Sequence, residues 1–374
     1  MTQTGTQAGG TPDTRGGIDL RRIREHHLFW PVVVLVALLV INTWFSPGFL
    51  SIELRDGHLY GSPVDILRAS APLALVAVGM TLVIATGGID LSVGSVVAIT
   101  GALACLRISK LDDQNSVTGV LLAVAVALVL SVVLGAWNGL LVARIGIQPI
   151  IGTLILMVAG RGIAQLITDG QVLTINSSPY EKIGAGYWLA LPVSVLIAAG
   201  VIGLTVVVLR RSALGMLLES VGGNAEASRL AGIKARWLKF AVYAFSGLCA
   251  GIAGLMISAN VASADGNQAG LLIELDAILA VVIGGTALIG GRFAVLGTVL
   301  GAVIIKTLDI TVYTVGIPSD VKLLFKSLVV IVLCLAQSAA FRAWVSRRRH
   351  VRPGGPAARV AGHDQDDEKA GALA

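Results

Sequence analysis

The sequence predicts an all-α membrane protein with about ten transmembrane helices, some of them broken or short. Two features of composition and one of spacing point that way. Charged residues make up only 13% of the 374 and hydrophobic ones 55%, whereas a soluble domain carries about 25% charged residues. The apolar character comes from Ala, Val, Leu, Ile and Gly, with 45 glycines and aromatics at only 5%. That is the palette of closely packed membrane helices. The remaining charges fall in a few clusters between long uncharged runs, which a Val- and Ala-rich soluble protein would not arrange.

A hydrocarbon core of about 30 Å takes roughly 20 apolar residues per helix. On that measure the spans fall near 28–46, 69–86, 92–107, 119–143, 148–168, 188–209, 239–260, 274–290, 293–313 and 321–341. The third and eighth are short for a full crossing. The first follows Arg21, Arg22 and Arg24, and no small-residue cleavage site follows it cleanly, so it reads as a retained span. Residues 1–27 are polar and Gly/Thr-rich and are expected to form a disordered tail. Residues 342–374, Gly/Pro/Ala-rich and then acidic at Asp364, Asp366, Asp367 and Glu368, are expected to form a second. The membrane domain is then 28–341. Ten spans put both termini on one side, and the clusters at Arg21/Arg22/Arg24 and Arg347/Arg348/Arg349 assign that side to the cytoplasm.

Several classes of function drop out. The net charge of +6 comes from cations beside apolar segments, not from a basic stripe on a soluble face, so no nucleic-acid partner is expected. Cys105, Cys249 and Cys334 sit in apolar stretches at unrelated positions and read as small core residues. No metal site is expected. The histidines (His26, His27, His58, His350, His363) lie in the tails or the first outer loop, and no nucleophile–base pairing is visible. The chain also has no Gly-x-x-x-x-Gly-Lys-Ser/Thr sequence for holding nucleotide phosphates. It is not expected to be an enzyme on its own.

The loop at 210–238, between the sixth and seventh spans, has the clearest punctuation. Gly222 and Gly223 end one short helix, and Asn224 is a fitting N-cap for the next. Glu226 lies in the first turn, where the helix dipole favours an anion. Gly232 suits the C-terminal stop. Two glycine-rich segments stand out elsewhere. Thr86-Gly87-Gly88-Ile89-Asp90-Leu91-Ser92-Val93-Gly94-Ser95 separates the second and third spans. Ile283-Gly284-Gly285 to Gly290-Gly291-Arg292 separates the eighth and ninth. Non-helical backbone at membrane depth survives only where protein or water satisfies it. Shortened, Gly-interrupted segments in both halves point to a central pathway of broken helices, with close packing through small residues as the alternative. Asp90 reads as a structural cap or gate.

With Ser in place of the second Ala, Glu226-Ala227-Ser228 and Gly232 resemble the Glu-Ala-Ala-x-x-x-Gly loop of ATP-binding-cassette (ABC) importer permeases. Thr86 to Gly94, Trp137-Asn138-Gly139, Gln148-Pro149 with Thr153-Leu154, and Arg161-Gly162 resemble landmarks of the ribose/xylose/galactoside-type sugar permease family. That likeness runs from about Ser62 to Gln337. Residues 61–67 and 156–165 are most similar to the galactofuranose importer permeases. The resemblance implies a type II (vitamin-B12-importer-like) permease architecture carrying a monosaccharide through an inner membrane. Its implied partners are two cytoplasmic ATPase subunits, a second permease (identical or similar) and a periplasmic or lipid-anchored sugar-binding protein. ATP and Mg would be bound by the ATPase subunits, leaving no cofactor in this chain. Glu226, Ala227, Ser228 and Gly232 would couple to the ATPase. Gly87, Gly88, Asp90, Ser92, Gly94, Gly284 and Gly285 would form the broken-helix gate.

A hydroxyl-rich solute needs amide and hydroxyl groups along its path. Asn138, Gln148, Gln165, Asn176, Asn260 and Gln337 are candidates, of which Asn138 and Gln165 also lie in the landmarks. Arg161 needs a counter-charge, for which Asp90 and Glu274 are both available. Lys306 and Asp309, near one turn apart, are expected to pair with each other. Sparse aromatics fit a low-affinity conduit. Rival readings are a secondary sugar carrier, a branched-chain amino-acid permease of the ABC type and a non-transporting scaffold.

Overall fold

The computed structural model describes residues 29–316 apart from residue 56, together with residue 318 and residues 321–337. The expected tails, their arginine clusters and four of the five histidines lie outside the described residues. So does the end of the tenth expected span.

The chain runs through helices α1 (Phe29–Phe45), α2 (Ser62–Ala85), α3 (Val93–Ser109), α4 (Val117–Leu140), α5 (Pro149–Ile167), α6 (Ser178–Gly184), α7 (Val193–Arg211), α8 (Leu214–Gly223), α9 (Ala225–Leu230), α10 (Ala235–Asn260), α11 (Ile273–Ile283), α12 (Val295–Val315) and α13 (Lys322–Gln337). Among the described residues six helices are long and apolar enough to cross a membrane: α2, α4 with its π-helical extension Leu141–Ile145, α5, α7, α10 and α12. Shorter apolar helices include α1, α3 and α8. Three antiparallel strand pairs decorate the loops: β1 (Glu53–Arg55) with β2 (His58–Tyr60), β3 (Val172–Thr174) with β6 (Ser263–Asp265), and β4 (Tyr187–Trp188) with β5 (Leu191–Pro192).

Three boundaries differ from the sequence reading for identifiable reasons. α2 begins at Ser62, seven residues before the apolar run, because Pro63 suits a first helical turn and Asp65 complements the dipole there. α7 begins at Val193, since Tyr187 to Pro192 form a small hairpin. α11 stops at Ile283 and not near 290, because Gly284 and Gly285 leave the helix. It is therefore only 11 residues long, about 16 Å at 1.5 Å per residue.

The core centres on α2, which is buried from Ser70 to Ala85 on nearly every side. A helix apolar all round is stable only inside a bundle. α10, α12, α11 and α7 pack around it. Small residues set these distances. Ser131, Gly135 and Gly139 recur every four residues on α4, facing Gly251, Gly247 and Phe240 of α10 in turn. A Cβ at Gly247 would stand 2.4 Å from the Ser131 carbonyl oxygen. Dispersion between touching backbones replaces the hydrophobic drive that lipid cannot supply. Leu121, Leu122 and Val129 of α4, Val158 and Leu166 of α5, and Leu204 of α7 point outward. Such faces suit acyl chains.

Candidate functional site

The first broken segment, residues 86–92, is stapled from three helices. The Asp90 carboxylate is buried at 1% exposure. Its Oδ1 accepts from the Ser92 amide at 3.1 Å and the Ser92 hydroxyl at 2.6 Å, while Oδ2 accepts from the Ser246 hydroxyl at 2.9 Å. Asn138 Nδ2 donates to Ser92 Oγ at 2.6 Å and approaches Asp90 Oδ1 at 3.4 Å. Thr153 Oγ1 accepts from the Leu91 amide at 3.1 Å, and the Ser95 hydroxyl donates to the Leu156 carbonyl at 3.0 Å. The Tyr243 ring lies over Gly88, where a Cβ would come within 2.5 Å of its hydroxyl. The chain can leave the helix here because α4, α5 and α10 take over its polar groups. Asp90→Asn is expected to cost only about 1 kcal/mol, because the Ser246 hydroxyl can turn to accept while Oδ1 keeps its donors. Asp90→Leu strands four donors and is expected to prevent stable folding. Thermal unfolding in detergent would compare the two, and equal melting temperatures would remove the staple role.

The 210–238 loop meets this break directly. α8 ends at Gly223, and the Asn224 side chain caps α9, accepting from the Glu226 amide at 3.0 Å and the Ala227 amide at 2.9 Å. The Ser228 hydroxyl donates to the Asn224 carbonyl at 2.9 Å. Glu226 and Arg229 pair at 2.6 Å on the exposed face. The hydrogen bond from Arg229, and then its charge, hold the Glu226 carboxyl below its ordinary range, so the first turn keeps its anion at neutral pH. Gly232, at φ +85°, closes the turn. At the inner end of α8, Gly222 lies against both broken segments. A Cβ there would fall 1.8 Å from the Ala85 carbonyl oxygen and 2.4 Å from the Gly291 nitrogen. The Gly291 amide donates to that same Ala85 carbonyl at 3.0 Å. Gly290 in turn rests on Gly87, both with positive φ. Three glycine pairs thus converge: 87/88, 222/223 and 290/291.

A second break, residues 266–272, enters from the opposite end of the bundle. Gly266 packs on Ala164, and Gly270 on the Gly94 carbonyl. A Cβ at Gly94 would meet Glu274 Oε2 within 2.2 Å, so that position joins the two breaks. Arg161 donates to the Ala269 carbonyl at 2.6 Å and lies 3.4 Å from that of Gly266. Glu274 and Asp265, not Asp90, are the carboxylates that act on its charge. One turn further along α5, Gln165 Nε2 donates to Asn267 Oδ1 at 2.6 Å.

The expected Lys306–Asp309 pair is present at 3.1 Å, but it is half of a larger assembly. Lys326 of α13 reaches Asp276 of α11 at 2.6 Å and Asp309 at 3.5 Å, and Lys306 lies 4.0 Å from Asp276. Each of the four carboxylate oxygens faces one of these two ammonium groups, in a ring of alternating charge. The ring floors a cleft of about 510 Å³ between α11 and α13.

Sequence reading and geometry part company at several residues. Asn138 has no exposed surface and serves the Asp90 staple, while Gln165 is half-exposed and reaches a second amide. Gly284 packs against the α12 backbone at Gly297 and Thr298, which is the close-packing alternative. Gly285 has positive φ and ends α11. Asn260 binds Arg68 at 2.5 Å. The Gln337 side chain lies outside the described residues. Asn267, Asp276 and Lys326 were missed, because their partners lie on other elements with no spacing to link them. Cys105 and Cys249 are buried and free. Among the described residues no cluster of His, Cys, Asp and Glu could hold a metal ion.

Apolar helices interrupted by two stapled breaks, one from each end, define a multi-pass membrane protein built as a permease. The model of the family described as branched-chain amino acid transport system / permease component matches residues 62–334, and the chain belongs to that family. It is 46% identical over 319 residues to the galactofuranose transporter permease protein YtfT of Escherichia coli K12, covering 83% of this chain and 91% of that one. It is 41% identical over 325 residues to the fructose import permease protein FruF of Bifidobacterium longum, covering 85% and 90%. It is 36% identical over 311 residues to the ribose import permease protein RbsC of Escherichia coli K12, covering 82% and 92%. No solved structure matches the chain.

Proposed function

We propose that this chain is the permease subunit of an ABC importer and forms the translocation pathway for a monosaccharide. It would lie in the inner membrane with about ten spans, in a type II architecture, with both termini cytoplasmic. Its partners would be ATPase subunits carrying ATP and Mg, a second permease and an external sugar-binding protein. The relatives' sugars favour this over an amino-acid substrate.

The glycine junction carries the mechanical part. α8 runs into the capped α9, and the end of α8 sits on the backbone at Ala85, where segment 86–92 begins, and at Gly290 and Gly291. A displacement of α9 by a docked ATPase would be delivered to the breaks without passing through flexible side chains. Arg161, Gln165 and Asn267 would offer hydrogen bonds along the outer part of the path.

The test is uptake of labelled D-galactose, D-ribose and D-fructose by proteoliposomes holding the chain with its ATPase subunits and binding protein. ATP-dependent uptake of at least one sugar is expected. Uptake that proceeds without the ATPase would favour a secondary carrier and end the proposal. Glu226→Lys places a like charge beside Arg229 on the docking face and is expected to lower ATP-driven uptake roughly tenfold or more. Wild-type rates in that variant would remove α9 as the contact.

A further inference from the structure

We propose that Arg144, Lys234, Arg236 and Lys239 form a binding site for the phosphate headgroup of an anionic lipid. The lipid would belong to the leaflet on the side of α8 and α9. The site requires only that the chain crosses a membrane, and is independent of what the chain carries.

Charge and packing together give its level. Residues 117–143 of α4 and its extension carry no charge, and neither do residues 240–260 of α10. Each run is long enough to cross a hydrocarbon core of about 30 Å. Ser131, Gly135 and Gly139 meet Gly251, Gly247 and Phe240 in turn, so the two helices run antiparallel. Arg144 follows the end of one run, while Lys234, Arg236 and Lys239 precede the start of the other. The four cations therefore emerge at one level, where the uncharged runs stop. Trp237 stands among them, 55% exposed, with the Arg144 guanidinium 4.8 Å from its ring centre. Tryptophan is the side chain of the headgroup boundary, and its face holds a cation there.

The cations lack an acid. Among the described residues none of the four is in a salt bridge. They stand at a cleft of about 790 Å³ between the end of α4, α9 and the start of α10. Arg229, Lys234, Arg236 and Lys239 line it against a single carboxylate, Glu226. That carboxylate is held by Arg229 at 2.6 Å, and Arg236 adds only a longer-range attraction. Lys239 is partly withdrawn from water without any acidic partner. A phosphodiester supplies both the missing charge and the acceptor oxygens. Each Lys or Arg at this depth adds to the hold on an anionic lipid. The lipid's tail has a place as well. Val129, Val133, Trp137 and Leu140 form an exposed apolar stripe along α4 that leads to Arg144. A soluble phosphate would gain nothing from that stripe.

The test uses the full chain in detergent and native mass spectrometry with phosphatidylglycerol, phosphatidylcholine and inorganic phosphate. Phosphatidylglycerol is expected to bind about tenfold more tightly than phosphatidylcholine, and excess inorganic phosphate to leave it bound. Lys234→Gln with Arg236→Gln, both at exposed positions, is expected to weaken phosphatidylglycerol by about tenfold or more and leave phosphatidylcholine unchanged. Arg210→Gln with Arg211→Gln removes the same charge from the exposed end of α7 and is expected to change neither. Equal losses in the two double variants would reduce the effect to net charge and overturn the site. So would displacement of the lipid by inorganic phosphate, which would mark a site for soluble anions. If the Lys234/Arg236 variant keeps the lipid but no longer retains the ATPase subunits, the cations belong to a protein contact and the proposal falls. No arm measures transport, so a chain that moves no sugar would discard the permease reading and leave the lipid site standing.

Discussion

Gly222→Val is expected to abolish ATP-driven uptake, whereas Gly223→Ala beside it is expected to leave uptake near wild type. The two glycines are adjacent at the end of the same helix, and no difference in propensity separates them. Their surroundings do. A Cβ at 222 would stand 1.8 Å from the Ala85 carbonyl oxygen and 2.4 Å from the Gly291 nitrogen. Both are backbone atoms at buried positions, so a side chain at 222 can be relieved only by moving the chain itself. The valine would also intrude on the hydrogen bond from Gly291 to Ala85 at 3.0 Å. α8 would have to lift away from both Ala85 and Gly291. At Gly223 nothing lies within 4 Å of the added carbon, and alanine is the better helix former. A displacement of an ångström at such a junction can cost on the order of a hundredfold in rate. Uptake and ATPase rates measured together on the two variants would check this. Equal uptake in both would mean that the junction transmits nothing.

Lys326→Met is expected to destabilise the protein by about 3–5 kcal/mol, because it takes away the ammonium that holds Asp276 at 2.6 Å in a poorly hydrated site. The surviving lysine is 4.0 Å from Asp276, a weaker contact than the 2.6 Å one that is lost. α13 would lose its shortest polar tie to α11. Adding Asp276→Asn should recover much of the loss, since the carboxylate that lost its nearest ammonium is then uncharged while Lys306 still faces Asp309 at 3.1 Å. Thermal unfolding of the single and double variants in detergent forms the cycle. A double variant no more stable than Lys326→Met would show that the ring is not a unit.

The 210–238 loop was unusually legible. Asn224 as cap, Glu226 in the first turn and Gly232 as stop are local matters, settled within a few residues of backbone, and the structure shows all three. The Lys306–Asp309 pair was legible for the same reason, being one turn apart. Asp90 could be recognised as an anomaly in an apolar run, but its role could not. Its partners Ser246 and Asn138 lie 156 and 48 residues away. Asn138 shows the converse error: an amide in an apolar helix has the same sequence signature whether it faces a path or another side chain. The sequence offers Arg161 two counter-charges, and only the fold, which brings Glu274 towards it and ties Asp90 to Ser92 and Ser246, decides between them.

By itself the sequence determined the solvent of the protein, the type of its elements and the local grammar of the loop. Those follow from composition, run length and hydrogen bonds that close within a turn. Only the tertiary structure decided that Gly222 touches both Ala85 and the 290–291 backbone, that Asp90 is tied on both oxygens, and that four charges from three helices form a ring. Each is a contact between segments far apart in the chain, fixed by which small residues let two backbones approach. No periodicity along the chain encodes that choice.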